Sequence, residues 1–293
     1  MFSRALVATD LSETSERVVC TLAGLRSVGT REAYLVHCFN IRDVGTLADR
    51  LMEEARPSFE QQKRMLAEHG FQTDGRMVLG LPHIEINRIA AEERYSLIVV
   101  GSRSRSAIGE MLLGGTAEVV LHSATRPVLV LRLQPSQEES DRPCDVAPCD
   151  LLQHVLYPTD FSDTAEAAFP YVEQLAQCGA RRITLLHVQS KSKLEAHLKH
   201  RLEEFNEIDR GRLERLRDAL VRDRVADVRI ELPYGYPKQE ILARIGGDVS
   251  VVVMGSQGRG YFGELLLGSV SHAVARRSAA PVLLIPAPRS ARR

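Results

Sequence analysis

The chain alternates between short apolar runs, rich in Val, Ile and Leu, and longer stretches in which apolar residues recur every three or four positions. Runs of the first kind are typical of buried strands, and stretches of the second kind are typical of amphipathic helices. This alternation predicts βαβ units around a parallel sheet. In the first half, we predict strands at 4–9, 33–39, 72–79, 96–101 and 127–133, with helices at 13–28, 47–69, 83–94 and 115–124. In the second half, we predict strands at 153–159, 182–189, 226–232, 249–254 and 281–286, with helices at 163–178, 192–222, 237–246 and 269–279.

The two halves of the chain are copies of one pattern. The segment from Val7 to Ser12 recurs 150 residues later, and the segment from Leu97 to Ser102 recurs 154 residues later. Two further segments, 34–37 and 126–130, recur in the same order. Ser12 and Ser162 both stand where a helix N-cap is expected, with acidic residues in the turn that follows. The chain is therefore predicted to hold a duplicated α/β domain.

A segment without periodicity separates the two copies. Residues 134–150 are rich in Pro, Ser and acidic side chains, which is typical of a linker. We therefore predict a first domain at 1–133, a linker at 134–150 and a second domain at 151–288. The arginine-rich tail that follows reads as a disordered end.

Charge and cysteine content narrow the classes of function. The chain of 293 residues has 38 Lys and Arg against 38 Asp and Glu, a balance that argues against a nucleic-acid or membrane-surface partner. The start of the chain shows no leader pattern, and its longest apolar runs are too short for a bilayer. The five cysteines are scattered, which favours reduced thiols. We expect a cytoplasmic protein.

The clearest chemical signal is a glycine-rich stretch in the second copy. Gly255, Gly258, Gly268 and Ser269 follow the spacing Gly-x2-Gly-x9-Gly-Ser between a strand and a helix. Glycines let backbone N–H groups approach an oxyanion closely. The first N–H groups of a helix lack partners within it, and the helix dipole favours negative charge there. The pattern therefore predicts a phosphate loop.

The position of this loop supports the same interpretation. In a doubly wound sheet of strand order 3-2-1-4-5, ligands bind outside the carboxyl ends of strands 1 and 4. Asp160 ends the first strand of the second copy, and Gly255 ends its fourth. A carboxylate there can accept hydrogen bonds from ribose hydroxyls. The crevice thus offers both a sugar contact and a phosphate contact.

These motifs resemble those of tandem universal stress proteins over the whole chain. The resemblance implies two doubly wound, five-stranded parallel sheets of the adenine-nucleotide alpha-hydrolase-like fold. It implies ATP or another adenine nucleotide as ligand, with Mg²⁺ bridging the phosphates and no metal ligand from protein side chains. It also implies that the last strands of the copies pair as an intramolecular pseudo-dimer, with further homodimerisation left open. The implied ATP-binding residues are Thr159, Asp160, Val188 (through its backbone), Met254, Gly255, Gly258, Arg259, Gly268, Ser269, Val270 and Ser271.

The first copy departs from this pattern at two of the four signature positions. Ser104 replaces the second glycine, and Gly115 stands where the second copy has its phosphate serine. A Cβ at Ser104 can block the close approach that glycine allows. The first copy is therefore predicted to hold a weaker site or none. The residues of that site are Thr9, Asp10, Cys38, Gly101, Ser104, Gly114, Gly115 and Thr116.

Several functions stay open at this point. His37 and His187 read as structural histidines, because no carboxylate or second histidine accompanies either at useful spacing. No nucleophile–base arrangement is recognisable, so we predict an ATP-binding stress-response regulator rather than a dedicated enzyme. Slow ATP hydrolysis is one alternative. The other is a scaffold without nucleotide, or a binder of a small apolar ligand, that acts through protein association.

Overall fold

A computed structural model describes residues 2–41, 47–102, 113, 115–132, 147–194, 199–223, 225, 227–258 and 267–287. The chain forms two compact units, Met1–Asp150 and Leu151–Arg293. In the described ranges, no helix is long and apolar enough to cross a bilayer.

The first unit is a parallel sheet of five strands in the order β3-β2-β1-β4-β5. This is the predicted doubly wound order, with β1 and β4 adjacent at the centre. The inner strands are almost wholly buried, as expected of a parallel sheet covered on both faces. The strands are β1 (Arg4–Thr9), β2 (Glu32–Asn40), β3 (Gln72–Gly80), β4 (Leu97–Ser102) and β5 (Val128–Arg132).

The helices of the first unit lie close to their predicted positions. Ser12 caps the first helix, because its side chain accepts a hydrogen bond from the Ser15 backbone N–H. The predicted helix 13–28 is α-helical only to Thr21 and continues as a 3-10 helix, Leu22–Val28, which ends at Gly29 with φ +91°. The helices are α1 (Glu13–Thr21), α2 (Ala48–Glu68), α3 (Pro82–Glu92) and α4 (Gly115–Ser123).

The second unit repeats the same topology, with strand order β9-β7-β6-β11-β12. Every residue of the two central strands, β6 and β11, is buried. A short parallel pair, β8 and β10, extends beyond the carboxyl ends of the main sheet and was not predicted. The strands are β6 (His154–Pro158), β7 (Arg182–Leu186), β8 (Gln189–Ser190), β9 (Asp227–Glu231), β10 (Tyr234–Gly235), β11 (Val251–Gly255) and β12 (Val282–Ile285).

The long charged helix of the second unit is interrupted. Instead of one helix at 192–222, the described residues form a four-residue helix Lys191–Leu194, a 3-10 segment Lys199–Arg201 and a 21-residue helix. Ser162 caps the first helix of this unit, as Ser12 does in the other. The α-helices are α5 (Asp163–Gln177), α6 (Lys191–Leu194), α7 (Leu202–Arg222), α8 (Pro237–Arg244) and α9 (Ser269–Arg277).

The cysteines differ from the expectation of five reduced thiols. Cys20 is disulfide-bonded, so that expectation is wrong for this residue. Cys38, Cys149 and Cys178 are free. Cys149, in the predicted linker, belongs to the first unit, and its backbone N–H donates to the Thr21 carbonyl. Burial raises the pKa of the Cys149 thiol to about 12.

Candidate functional site

The second unit has a cavity of about 870 Å³ at the carboxyl ends of β6, β7 and β11. Ligand cavities commonly span about 300–1,000 Å³, so this one can hold a whole nucleotide. The fold brings ten of the eleven residues predicted for this site to its wall. They are Thr159, Asp160, Val188, Met254, Gly255, Gly258, Gly268, Ser269, Val270 and Ser271. The eleventh, Arg259, lies outside the described residues.

Asp160 is held in place by the turn between β6 and α5. Its Oδ1 accepts hydrogen bonds from the Ser162 backbone N–H at 3.1 Å and from the Ser162 hydroxyl at 2.6 Å. Phe161 between them adopts φ +55°, a left-handed conformation that bends the chain around the carboxylate. The turn thus fixes the direction of the Asp160 side chain before any ligand arrives.

The glycine loop, of which residues 255–258 are described, passes close to this carboxylate. A Cβ at Gly258 would lie 2.8 Å from Asp160 Oδ2, which is closer than real Cβ atoms come to other atoms. The loop is fastened to α5, because the Thr164 hydroxyl donates to the Gln257 carbonyl at 2.5 Å. A side chain at position 258 would therefore displace the Asp160 carboxylate, whereas glycine lets the loop and the aspartate face the same small volume.

The N-terminus of α9 completes the wall on the other side of the loop. Gly268 is the N-cap residue, has no side chain to cap the helix, and donates its own N–H to the Ser256 carbonyl at 2.7 Å. The first N–H groups of the helix have no partners within it, which suits an anion. The Ser271 hydroxyl is already committed, because it donates to the Gly255 carbonyl at 2.8 Å. The hydrogen-bond donor that Ser271 can still offer to a phosphate is its backbone N–H.

The backbone of Val188 faces the crevice. The N–H groups of His187 and Gln189 on either side both donate towards β9 and the chain after it, to the Glu231 and Pro233 carbonyls. Alternate residues of a strand direct their N–H and C=O groups to opposite sides. The backbone N–H and C=O groups of Val188 therefore point to the opposite side, where β6 has already ended. They form no hydrogen bond with any other described residue. One donor and one acceptor are available there.

His187 has the structural hydrogen bond expected of it, together with partners that the sequence did not suggest. Its Nδ1 donates to the Thr159 carbonyl at 2.7 Å. Its Nε2 lies 3.4 Å from Oδ2 of Asp209, a carboxylate supplied by α7. The expectation that no carboxylate accompanies this histidine is therefore wrong. The fold brings together two residues that are 22 positions apart in the sequence.

Asp209 belongs to a wider polar and aromatic group. The Gln189 side chain donates to its Oδ2 at 2.9 Å, and Arg212 donates to its Oδ1 at 3.3 Å. The Arg212 guanidinium also lies over the Phe161 ring, 5.0 Å from its centroid, and that ring packs 4.7 Å from His187. Two residues of this group, Asp209 and Gln189, line the cavity.

The first unit has a smaller cavity, of about 490 Å³, in the equivalent place. It is lined by six of the residues predicted for a weaker site, and the other two, Ser104 and Gly114, lie outside the described residues. Asp10 differs from Asp160 because Ser15, where the second unit has Ala165, donates a further hydrogen bond to its Oδ1. The six lining residues are Thr9, Asp10, Cys38, Gly101, Gly115 and Thr116.

Two side chains in this smaller cavity have shifted pKa values. Burial lowers the pKa of His37 below its usual value, although a hydrogen bond to the Thr9 carbonyl acts in the opposite direction. Burial also raises the pKa of the Cys38 thiol to about 11. Cys38 occupies the position that Val188 has in the second unit, and its sulfur lies 3.6 Å from the Gly80 carbonyl.

Cys38 is expected to alkylate slowly in the folded protein. Only the thiolate is nucleophilic, and a thiol with a pKa near 11 has on the order of 100-fold less thiolate at pH 8 than an ordinary cysteine. The rate should rise as the pH approaches the pKa. Iodoacetamide labelling, with mass spectrometry of the Cys38 peptide in native and urea-unfolded protein, measures the effect. Equal labelling rates in the two states at pH 8 would show that burial does not protect this thiol.

Each unit has a doubly wound parallel sheet and a cavity at the carboxyl ends of its strands, so the chain is a tandem repeat of the adenine-nucleotide alpha-hydrolase type. The model of the universal stress protein family matches residues 1–132 and 152–286. The chain therefore belongs to the universal stress protein family, and it carries two domains of that family.

Individual relatives agree with this assignment. A universal stress protein of Mycolicibacterium smegmatis is 29% identical over 248 residues, which cover 83% of this chain and 80% of the relative. Another, from Methanocaldococcus jannaschii, is 28% identical over 155 residues, which cover 45% of this chain and 96% of the relative. Among solved structures, a universal stress protein from Archaeoglobus fulgidus superposes with a TM-score of 0.73 at 26% identity and covers 98% of this chain and 100% of its own.

Proposed function

We propose that the protein is a stress-response regulator that binds ATP, or a related adenine nucleotide, in its second domain. The observation that carries this proposal is that Asp160, the described loop glycines Gly255 and Gly258, and the N-terminus of α9 all line one cavity of about 870 Å³. The cavity offers a carboxylate for a sugar, N–H groups for phosphates and an exposed backbone edge for a base. These are the three chemical parts of a nucleotide.

The glycine positions fit this ligand. A Cβ at Gly258 would collide with Asp160, and a Cβ at Gly268 would lie 3.3 Å from both Gln257 Cα and the Ser256 carbonyl oxygen. Space of this kind lets a phosphate approach the backbone closely. Mg²⁺ would be held mainly by phosphate oxygens, as it commonly is at nucleotide sites.

The proposal assigns different roles to the two domains. The first cavity is little more than half the size of the second, and Ser15 adds a hydrogen bond to Asp10 that Asp160 does not receive from Ala165. We assign the nucleotide to the second domain alone. Bound ATP then acts by stabilising one conformation of that domain and so altering its choice of protein partner.

The Asp160→Ala variant is expected to weaken ATP binding by about 10- to 100-fold, because hydrogen bonds to a charged group contribute about 1.5–3 kcal/mol. The matched variant Asp10→Ala is expected to leave the affinity unchanged. Calorimetric titration of both variants with Mg-ATP measures the difference. An unchanged affinity in Asp160→Ala, or an equal loss in Asp10→Ala, would contradict the assignment to the second domain.

The identity of the ligand can be tested without any variant. Mass spectrometry of small molecules released by denaturing the freshly purified protein should reveal an adenine nucleotide. A protein that releases none, and that gives no calorimetric signal with Mg-ATP, does not have the proposed function.

A further inference from the structure

Gln189 and Asp209 form a buried pair at the end of the cavity where Val188 exposes its backbone. Both line the cavity, with 5% and 8% of their surfaces exposed. Gln189 Nε2 donates to Asp209 Oδ2 at 2.9 Å. Neither residue belongs to the glycine loop or to the strand-end motifs.

The chemistry of the pair fixes the orientation of the Gln189 amide. An ionised carboxylate can only accept hydrogen bonds, so the amide must turn its nitrogen towards Asp209. Its oxygen, Oε1, is then on the other arm of the amide. Oε1 forms no hydrogen bond with any of the described residues. Gln189 therefore lines the cavity with an amide whose oxygen is uncommitted among the described residues.

Asp209 is itself held from a further side, because Arg212 donates to its Oδ1 at 3.3 Å. His187 Nε2 lies 3.4 Å from its Oδ2, but the one N–H of a neutral imidazole is already donated by Nδ1 to the Thr159 carbonyl, so this contact does not hold Asp209. The pair is anchored to the sheet, because Gln189 follows the end of β7 and α7 packs against β7. The amide orientation therefore follows from the folded protein and does not depend on a ligand.

This end of the cavity is rich in hydrogen-bond acceptors. The Val188 carbonyl and Gln189 Oε1 can both accept a hydrogen bond from a ligand. The Asp209 carboxylate, also an acceptor, is bonded to the nitrogen of the Gln189 amide. The 6-amino group of a purine can donate two hydrogen bonds to these acceptors. A 6-oxo group at the same position can only accept, so its oxygen would face the acceptor oxygens of the protein without a hydrogen between them. Buried acceptors of this kind distinguish strongly between a ligand that donates hydrogen bonds to them and one that leaves them unpaired.

We propose that the Gln189–Asp209 pair makes the second domain selective for 6-aminopurine nucleotides over 6-oxopurine nucleotides. The inference rests on the proposed function and names residues that set its base specificity. Gln189 contacts the base, and Asp209 is a positioning residue that acts through the Gln189 amide.

The first domain lacks both members of the pair. Phe39 takes the place of Gln189, two residues after the strand-end histidine. Ala55 takes the place of Asp209, since each is the eighth residue of a 21-residue helix, α2 or α7. The two domains thus differ at the base end of the cavity as well as in the phosphate loop.

The test compares the affinities of ATP and inosine triphosphate by calorimetry. Inosine triphosphate carries oxygen in place of the 6-amino group. The wild-type protein should prefer ATP by about tenfold or more, because the wrong base leaves acceptors unpaired. Gln189→Leu should lose most of this preference. In Asp209→Asn, a neutral amide can accept or donate, so the Gln189 amide can reverse and present its nitrogen to the ligand. That variant should bind inosine triphosphate more tightly than the wild type does.

The outcomes separate this inference from the proposed function. Glu207→Gln removes an exposed charge from the same helix and should keep the wild-type preference. A wild-type protein that binds ATP and inosine triphosphate equally, or an unchanged preference in both Gln189→Leu and Asp209→Asn, overturns the inference while ATP binding stands. A wild-type protein that binds neither nucleotide overturns the proposed function and the inference together. Asp209→Asn is nearly isosteric, so its nucleotide preference can be read even if Gln189→Leu unfolds.

Discussion

Replacing Gly268 with aspartate is expected to lower ATP affinity at least 100-fold. The side chain would enter the space between the glycine loop and α9, where a Cβ already lies 3.4 Å from the Gly258 nitrogen. A carboxylate there would face the phosphates. Two like unit charges 4 Å apart repel by about 4 kcal/mol at an effective dielectric constant near 20. Calorimetric titration with Mg-ATP measures the loss.

Two control variants separate the effect of the added charge from that of the added volume and from a general loss of folding. Gly268→Ala adds only a methyl group, and its neighbours need to move by a few tenths of an ångström. This variant should keep most of the ATP affinity. Gly114→Asp makes the same change at the corresponding position of the first copy and should leave the affinity unaltered. If Gly268→Asp binds ATP as tightly as Gly268→Ala does, no phosphate lies at this position.

Replacing Gly255 with alanine is expected to destabilise the second domain by about 1–3 kcal/mol, the usual cost of forcing atoms into a packed core. The added Cβ would lie 2.7 Å from the Thr164 carbonyl carbon and 2.9 Å from the Ala165 nitrogen. These are backbone atoms at the start of α5, and they cannot rotate away. For a unit of this size, each kcal/mol lowers Tm by about 2–4 °C.

Gly101→Ala is the matched control in the first domain. There the nearest atom to the added Cβ is Val18 Cγ2, at 3.2 Å, and a side-chain methyl group can move. Urea titration without nucleotide, followed by circular dichroism, should show a clear loss of stability for Gly255→Ala and a smaller one for Gly101→Ala. Equal losses at the two positions would mean that the backbone of α5 moves to make room.

Most of the fold could be predicted from the sequence, because the same pattern of strands and helices occurs twice along the chain. The order of the strands and the serine caps at Ser12 and Ser162 are confirmed. Local periodicity did not show where helical geometry changes. It therefore missed the change to a 3-10 helix after Thr21 and the interruption before Leu202.

The sequence was enough to predict which residues of the second domain line the cavity, because they belong to one short motif or follow the end of a strand. The Gln189–Asp209 pair was not found, because its members lie on different elements and Asp209 is one acid among many on a charged helix. Only the packing of α7 against β7 distinguishes it from exposed neighbours such as Glu207. Likewise, no sequence pattern shows that the Ser271 hydroxyl is used by the Gly255 carbonyl.

One of the two domains, the second, is expected to bind ATP. Calorimetric titration of the wild-type chain, stripped of any co-purified nucleotide, measures this as the stoichiometry of binding. We expect one ATP per chain, with that binding lost in Gly268→Asp and kept in Gly114→Asp. A stoichiometry of two, or no binding at all, would contradict it.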